Sequence, residues 1–216
     1  MTQRHSALAW RRGIIATVAM GAAFAGLLGF LSAWDGEPYP VADPAATATR
    51  LDGLTQTVYE ALALPGAALD PDWRGTLKAE EYGCHYRGLS HWEEQLSDSP
   101  PSVPGVVNVS AEWTLTGVSE ERATAAMRRA RTELTRQGWQ GTDHENAAGR
   151  LITLQLEPAD TYETPVPVSV WVTALPGDRL EVSAYAECAR YPEGTPLDAV
   201  DRPSLPHQLA PAPLRD

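Results

Sequence analysis

The longest uncharged run in the sequence covers 22 residues, from Gly13 to Trp34, and is too apolar for the surface of a water-soluble domain. As an α-helix it would be about 33 Å long, against a bilayer hydrocarbon core of about 30 Å. Arg11 and Arg12 precede the run, and Asp35 and Glu37 follow it. Because positive residues stay on the cytoplasmic side, we predict one transmembrane signal-anchor helix over residues 13–34.

The alternative to an anchor is a cleaved signal peptide. Cleavage after Ala33 would put Leu31 at the −3 position, where a small residue is expected. The sequence therefore favours an uncleaved, single-pass protein of the cell membrane. Residues 1–12 form a cytoplasmic N-terminus in this prediction, and the C-terminal domain lies outside the membrane.

The part of the chain after the anchor is strongly acidic. The whole chain carries a formal net charge of −11, and residues 1–34 hold three arginines and no acid, so the remainder carries −14. An acidic surface repels phosphate backbones, which argues against nucleic acid as a partner. Since none of the common nucleotide, metal or nucleophile motifs is present, we predict no cofactor and no metal.

The remaining chain divides into a spacer, a domain and a tail. Residues 35–43 contain two prolines and form the spacer. The extracytoplasmic domain covers 44–190, where Asp43 and Ser119 each predict the start of a helix. Residues 191–216 carry six prolines and little apolar periodicity, so we predict a disordered tail.

Five segments of the domain have the features of β-strands. Clean alternation of apolar and polar residues marks the most regular one, in which Val107, Val109, Ala111, Trp113 and Leu115 share a face. The predicted strands are 81–87, 107–116, 150–157, 166–174 and 179–189. With the helices the order is α-β-β-α-β-β-β, which predicts an α+β fold: an antiparallel sheet of about five strands with two helices on one face.

The chain contains only two cysteines, Cys84 and Cys188. Alternation places both on the inward faces of predicted strands, and His85 then points away from Cys84, which argues against a nucleophile–base pair. The predicted location outside the membrane is oxidising, where disulfides persist. We therefore predict a Cys84–Cys188 disulfide that closes a loop of about 100 residues.

The histidines and acidic pairs offer an alternative, catalytic interpretation. An extracytoplasmic hydrolase could assemble a site from scattered residues such as His85, His91 and Glu93. Exposed polar histidines and solvated charges are the simpler explanation, because no metal-binding spacing connects these residues. We therefore predict no catalytic residues and no enzyme activity.

The last two strands predict a possible partner surface. The inward residues are even-numbered in both strands, and residues that oppose each other in a hairpin share a face. The numbers of each opposed pair therefore sum to an even value, which requires an odd number of residues in the turn. The simplest solution is a three-residue turn at 176–178. Trp171 then opposes Ser183 on the outward face and lies diagonal to Tyr185. Two aromatic residues among hydroxyl side chains suit a sugar ring or a protein partner. The alternative is that the 88–105 loop or the tail covers them.

In this plan the chain resembles small anchored or lipid-linked envelope proteins of actinobacteria, which also place one cysteine in an early strand and another near the end of the last strand. The resemblance covers residues 45–190 and lacks the lipid-attachment cysteine of the lipoprotein members, so no functional residue is carried over. It implies an uncharacterised envelope protein with a binding or scaffolding role.

The predicted partners follow from these features. The N-terminal helix would contact the membrane, and the domain would bind an envelope protein or glycan, or serve as an accessory subunit of a membrane complex. Two pairs of small residues, Ala22–Gly26 and Ala25–Gly29, offer a contact for a homodimer through the anchor. Their alternative explanation is the high alanine and glycine content of the chain.

Overall fold

The computed structural model describes residues 34–73, 76–145, 151–161 and 163–214. Residues 34–38 and 85–101 belong to a smaller compact unit, and residues 39–84 and 102–214 to a larger one. The cytoplasmic N-terminus, the small-residue pairs and all of the predicted anchor except Trp34 lie outside the described residues. Within those residues, no helix combines the length and the apolar character needed to span a bilayer.

The two long helices of the larger unit begin where the sequence predicts. Helix α1 covers Pro44–Leu62, and the Asp43 carboxylate accepts a hydrogen bond from the N–H of Ala45. A second long helix covers Glu120–Arg136, and the Ser119 hydroxyl caps it by accepting from the N–H of Arg122. Both caps supply an acceptor to N–H groups that have no partner inside the helix. We number the second helix α3, because the short helix α2, Trp92–Gln95, precedes it in the smaller unit.

Seven antiparallel strands form one sheet in the described residues. They are β1 Ala68–Leu69, β2 Thr76–Glu80, β3 Val106–Thr116, β4 Gln140–Glu145, β5 Leu151–Glu157, β6 Val168–Leu175 and β7 Arg179–Arg190. Their order is β1-β3-β7-β6-β5-β4, and β2 also pairs with β3. Strands β1 and β2 pair with different parts of β3 and together form a broken edge strand.

The core lies between the sheet and the helices α1 and α3. Trp113 of β3 is fully buried, and Tyr59 of α1 meets it edge to face with ring centroids 5.6 Å apart. Met127 and Leu134 of α3 and Val182 of β7 are also fully buried. The opposite face of the sheet is therefore left for polar side chains, as the alternation in β3, β6 and β7 predicts.

The predicted architecture of about five strands and two helices, preceded by a transmembrane helix, is wrong. The described residues contain seven strands and three α-helices, with no membrane-spanning helix among them. The prediction missed β1, β2 and β4. It also assigned a strand to 81–87, where the chain turns: Gly83 has φ +85°, and the N–H of Cys84 donates to the carbonyl of Glu81 at 3.0 Å. The strand lies just before this turn, in β2.

The segment after Tyr191, for which the sequence predicts a disordered tail, contacts helix α1. Gln56 of α1 makes two hydrogen bonds with it: its Nε2 donates to the carbonyl of Leu209 at 3.3 Å, and its Oε1 accepts from the N–H of Ala212 at 3.0 Å. Leu205 and Leu214 pack against the core cluster. These contacts give the proline-rich segment a defined path next to α1.

Candidate functional site

The hairpin of β6 and β7 has the register that the even numbering of the inward residues predicts. Three residues, 176–178, connect the strands, and Gly177 and Asp178 have φ of +80° and +54°. Trp171 pairs with Ser183, Val172 with Val182, and Val170 with Ala184. The prediction of a three-residue turn and of this pairing is confirmed. All side chains of this hairpin can therefore be assigned to one face of the sheet or the other.

We call the surface opposite the helices the polar face. It carries hydroxyl, amide, carboxylate and aromatic side chains from five strands, none of them buried. Its members are Ser110, Glu112 and Thr114 of β3; Glu181, Ser183 and Tyr185 of β7; Ser169, Trp171 and Thr173 of β6; Thr153 and Gln155 of β5; and Thr142 and His144 of β4.

Aromatic side chains cross the polar face. The indole of Trp171 lies parallel to the imidazole of His144, with ring centroids 6.0 Å apart and an interplanar angle of 8°. The Nε1–H of Trp171 donates to the Oγ of Ser169 at 3.1 Å, which fixes the orientation of the indole. Tyr185 pairs with Ser169 on one side and with Ser110 on the other, diagonal to Trp171, and is 38% exposed.

Two carboxylates lie on the polar face near the aromatic row, by which we mean His144, Trp171 and Tyr185. Glu112 is opposite Ser183, and Glu181 is opposite Thr173 and Thr114, so the two acids are diagonal neighbours across β3 and β7. Partial burial raises the pKa of Glu181, and the nearby negative charge of Glu112 raises it further, against the opposing effect of Arg179. The face therefore places a carboxyl group of raised pKa beside a second acid.

The phenol of Tyr185 stays neutral on this face. Burial is the largest effect and raises the pKa of Tyr185, and the nearby acidic groups of Glu187 and Tyr39 raise it further. Its hydroxyl can therefore both donate and accept hydrogen bonds at neutral pH. A neutral phenol beside the hydroxyls of Ser110 and Ser169 suits a ligand that itself carries hydroxyl groups.

The predicted disulfide is present. Cys84 and Cys188 are joined across a sequence separation of 104 residues, and both are buried. The bond ties the turn after β2 to the end of β7, although Cys84 lies in a turn and not in the strand that the sequence predicted. Next to it, the buried amide of Asn108 donates to the carbonyl of Tyr82 at 2.7 Å.

The residues of the alternative hydrolase site have other partners. In the smaller unit, the Nδ1 of His85 lies 3.3 Å from the carbonyl of Pro101. The Nδ1 of His91 lies 3.0 Å from the Oε2 of Glu94, and its ring packs on Tyr86 at 4.7 Å. No recorded contact in this unit brings Glu93 to either histidine. Among the described residues, no three His, Cys, Asp or Glu side chains lie close enough together to hold a metal ion.

No family model, curated protein or solved structure matches the chain. The resemblance to actinobacterial envelope proteins therefore stays a prediction.

Sequence reasoning found Trp171 and Tyr185 but missed three residues of the polar face. His144 was missed because β4, with the sequence QGTDHE, has no apolar residue from which alternation could be recognised. Alternation is consistent with an outward position for Glu112 and Glu181, but it gives no signal that the two acids are neighbours. Their proximity depends on the β3–β7 pairing, which joins residues about 70 positions apart in the chain.

Proposed function

We propose that this protein is a non-catalytic binding module of the cell envelope and that its polar face binds a glycan. The observation that supports this most is the accessible Trp171–His144 stack among hydroxyl and carboxylate side chains. Aromatic rings bind the apolar C–H face of a sugar, while carboxylates, amides and hydroxyls bind its hydroxyl groups. The polar face offers both kinds of contact on one surface.

The charge of the face narrows the class of glycan. Glu112 and Glu181 are near the aromatic row, and the chain as a whole is strongly acidic. Anionic polymers such as teichoic acids or uronic-acid chains would be repelled. The ligand we propose is therefore a neutral or amino-sugar glycan. A protein partner on the same face is the alternative that the sequence left open.

The proposed location is outside the cytoplasm. A buried disulfide between distant parts of one sheet is typical of proteins that fold in an oxidising compartment. A location at the outer side of the cell membrane is the second part of this proposal, and it is inferred from the sequence and not from the described fold.

A glycan array with neutral, N-acetylated and acidic saccharides tests the proposal. The full chain in detergent should bind neutral or N-acetylated members, and Trp171→Ala should lose at least tenfold in affinity. Trp92→Ala is the matched control, because Trp92 is 55% exposed and lies in the smaller unit. Equal binding by both variants, or binding of acidic saccharides only, would contradict the proposal.

The carboxyl pair favours a second candidate function, glycoside hydrolysis. Glycosidases use one carboxyl group held protonated and a second one ionised, and the pKa of Glu181 is raised next to Glu112. If the unaltered protein releases reducing ends from a bound glycan, and Glu181→Gln still binds the glycan but no longer releases them, hydrolysis is supported. Binding without any release would leave the non-catalytic function.

A further inference from the structure

A cavity lies at the β2 edge of the sheet, between that strand and the proline-rich segment. Its volume is about 380 Å³, within the range of small-molecule sites. Leu77, Lys78 and Ala79 line one side, and Asp198 and residues 202–208 line the other. Strand β2 pairs with β3 alone within the described residues, so its outer edge keeps backbone N–H and C=O groups for a ligand.

A buried and unpartnered amide marks this cavity as a binding site. Gln208 lines it and is only 8% exposed, yet neither its Nε2 nor its Oε1 has a hydrogen-bond partner in the described part of the chain. A buried amide without partners costs stability. A ligand that offers one acceptor and one donor side by side would satisfy both atoms, and another amide has this arrangement.

The charged groups of the cavity point to an anion. Lys78, the only lysine of the chain, makes no ion pair or hydrogen bond with the described residues, and His207 lies on the opposite wall. The guanidinium of Arg202 is already paired with Asp198 at 3.4 Å. The cavity therefore has a lysine and an unpaired amide in its lining, and the β2–β3 register sets that lysine diagonal to Glu112.

We propose that the cavity binds an N-acylated amino acid carboxylate, the chemical group found in free N-acyl amino acids and at the C-terminal residue of a peptide. Lys78 binds the carboxylate, and Gln208 pairs with the neighbouring amide. Leu77 and Leu205 limit the adjacent side chain to a small apolar group. The proposal does not depend on glycan binding, because Gln208 and Leu205 belong to the proline-rich segment, and of its contacts only Lys78 lies on the edge of the polar face, opposite Ser110.

Calorimetric titration of the full chain in detergent tests this site. The probes are N-acetyl-L-alanine, its C-terminal amide, acetate, and acetyl-trialanine. The first probe should bind, and removal of its carboxylate or of its acetamide should weaken binding at least tenfold. Tighter binding of acetyl-trialanine than of N-acetylalanine indicates a peptide C-terminus as the ligand, and weaker binding indicates a free N-acyl amino acid.

Substitutions in the cavity test the contacts proposed for Lys78 and Gln208. Lys78→Gln and Gln208→Leu should each reduce the affinity for N-acetylalanine at least fivefold, whereas Arg128→Gln should not, because Arg128 lies on α3 and does not line the cavity. If Gln208→Leu does not fold, the rate at which an amine-reactive acyl reagent modifies Lys78 in the unaltered protein tests the site instead. Lys78 is the only lysine of the chain, so its peptide is readily followed. N-acetylalanine should slow its modification. Equal binding of acetate, unchanged affinity in both variants or an unprotected Lys78 would overturn the proposal.

Discussion

The imidazole of His144 and the indole of Trp171 stack in parallel planes although their strands, β4 and β6, are not neighbours. Strand β5 lies between them and places only Thr153 and Gln155 on this face. Both side chains are smaller than the rings on either side, so the aromatic pair can meet above β5. The two rings thus reach each other across β5, and the proposal of glycan binding rests on this pair.

Trp171 should contribute little to stability, in contrast to the buried Trp113. Trp171→Ala removes one half-buried aromatic contact and should lower the free energy of unfolding by about 1 kcal/mol. Trp113→Ala leaves a cavity in the core and should cost about 3–5 kcal/mol. Urea unfolding of the two variants measures the difference. Equal losses would mean that Trp171 is a packing residue.

Stability should depend on pH through Glu181. Its pKa is raised in the folded protein by burial and by Glu112, so its contribution to stability is complete below the ordinary value of 4.5 and is lost as pH rises through the raised value. Glu181→Gln should therefore gain stability relative to the unaltered protein as pH rises from about 4 to about 7. Glu187→Gln on the same strand controls for the loss of one charge. Denaturant unfolding curves whose difference stays constant with pH would contradict this account.

The disulfide should be a major source of stability. A cross-link across 104 residues restricts the unfolded chain, and the chain-entropy model assigns about 4.7 kcal/mol to a loop of this size. The double variant Cys84→Ser, Cys188→Ser should therefore be several kcal/mol less stable than the unaltered protein under non-reducing conditions. Iodoacetamide should label neither cysteine in denatured, unreduced protein, and labelling of both would exclude the bond.

Gln208 should cost the protein stability in the absence of a ligand. Replacing its buried, unpartnered amide by the similar-sized side chain of leucine removes a desolvation cost of about 1–3 kcal/mol. Gln208→Leu should therefore raise the melting temperature by a few degrees, whereas an amide needed for folding would give a lower melting temperature. Differential scanning calorimetry distinguishes the two outcomes.

Local sequence signals predicted the elements that have strong local causes. Asp43 and Ser119 cap the two long helices, and the alternation in β6 and β7 fixed both the turn and the register of their hairpin. Parity was enough there because one buried face makes a shift of one residue costly. These are the parts of the fold that a short stretch of sequence determines.

The missed elements depend on tertiary pairing. Strand β1 has two residues, β4 has no apolar residue, and β2 is a short edge strand, so none carries a clear period. The aromatic and acidic neighbours on the polar face depend on these pairings and on β3–β7 pairing across the chain. Sequence alone could therefore place Trp171 on the face but could not show that His144 and the two acids lie near it.

Indole N–H resonances test the central claim most directly. The chain has seven tryptophans, and each contributes one signal to a nitrogen–proton correlation spectrum of labelled protein in detergent. On titration with the neutral saccharide that binds best on the array, the Trp171 signal should shift progressively, while the fully buried Trp113 signal should stay in place. A Trp171 signal that does not move at saturating saccharide would contradict glycan binding by the polar face.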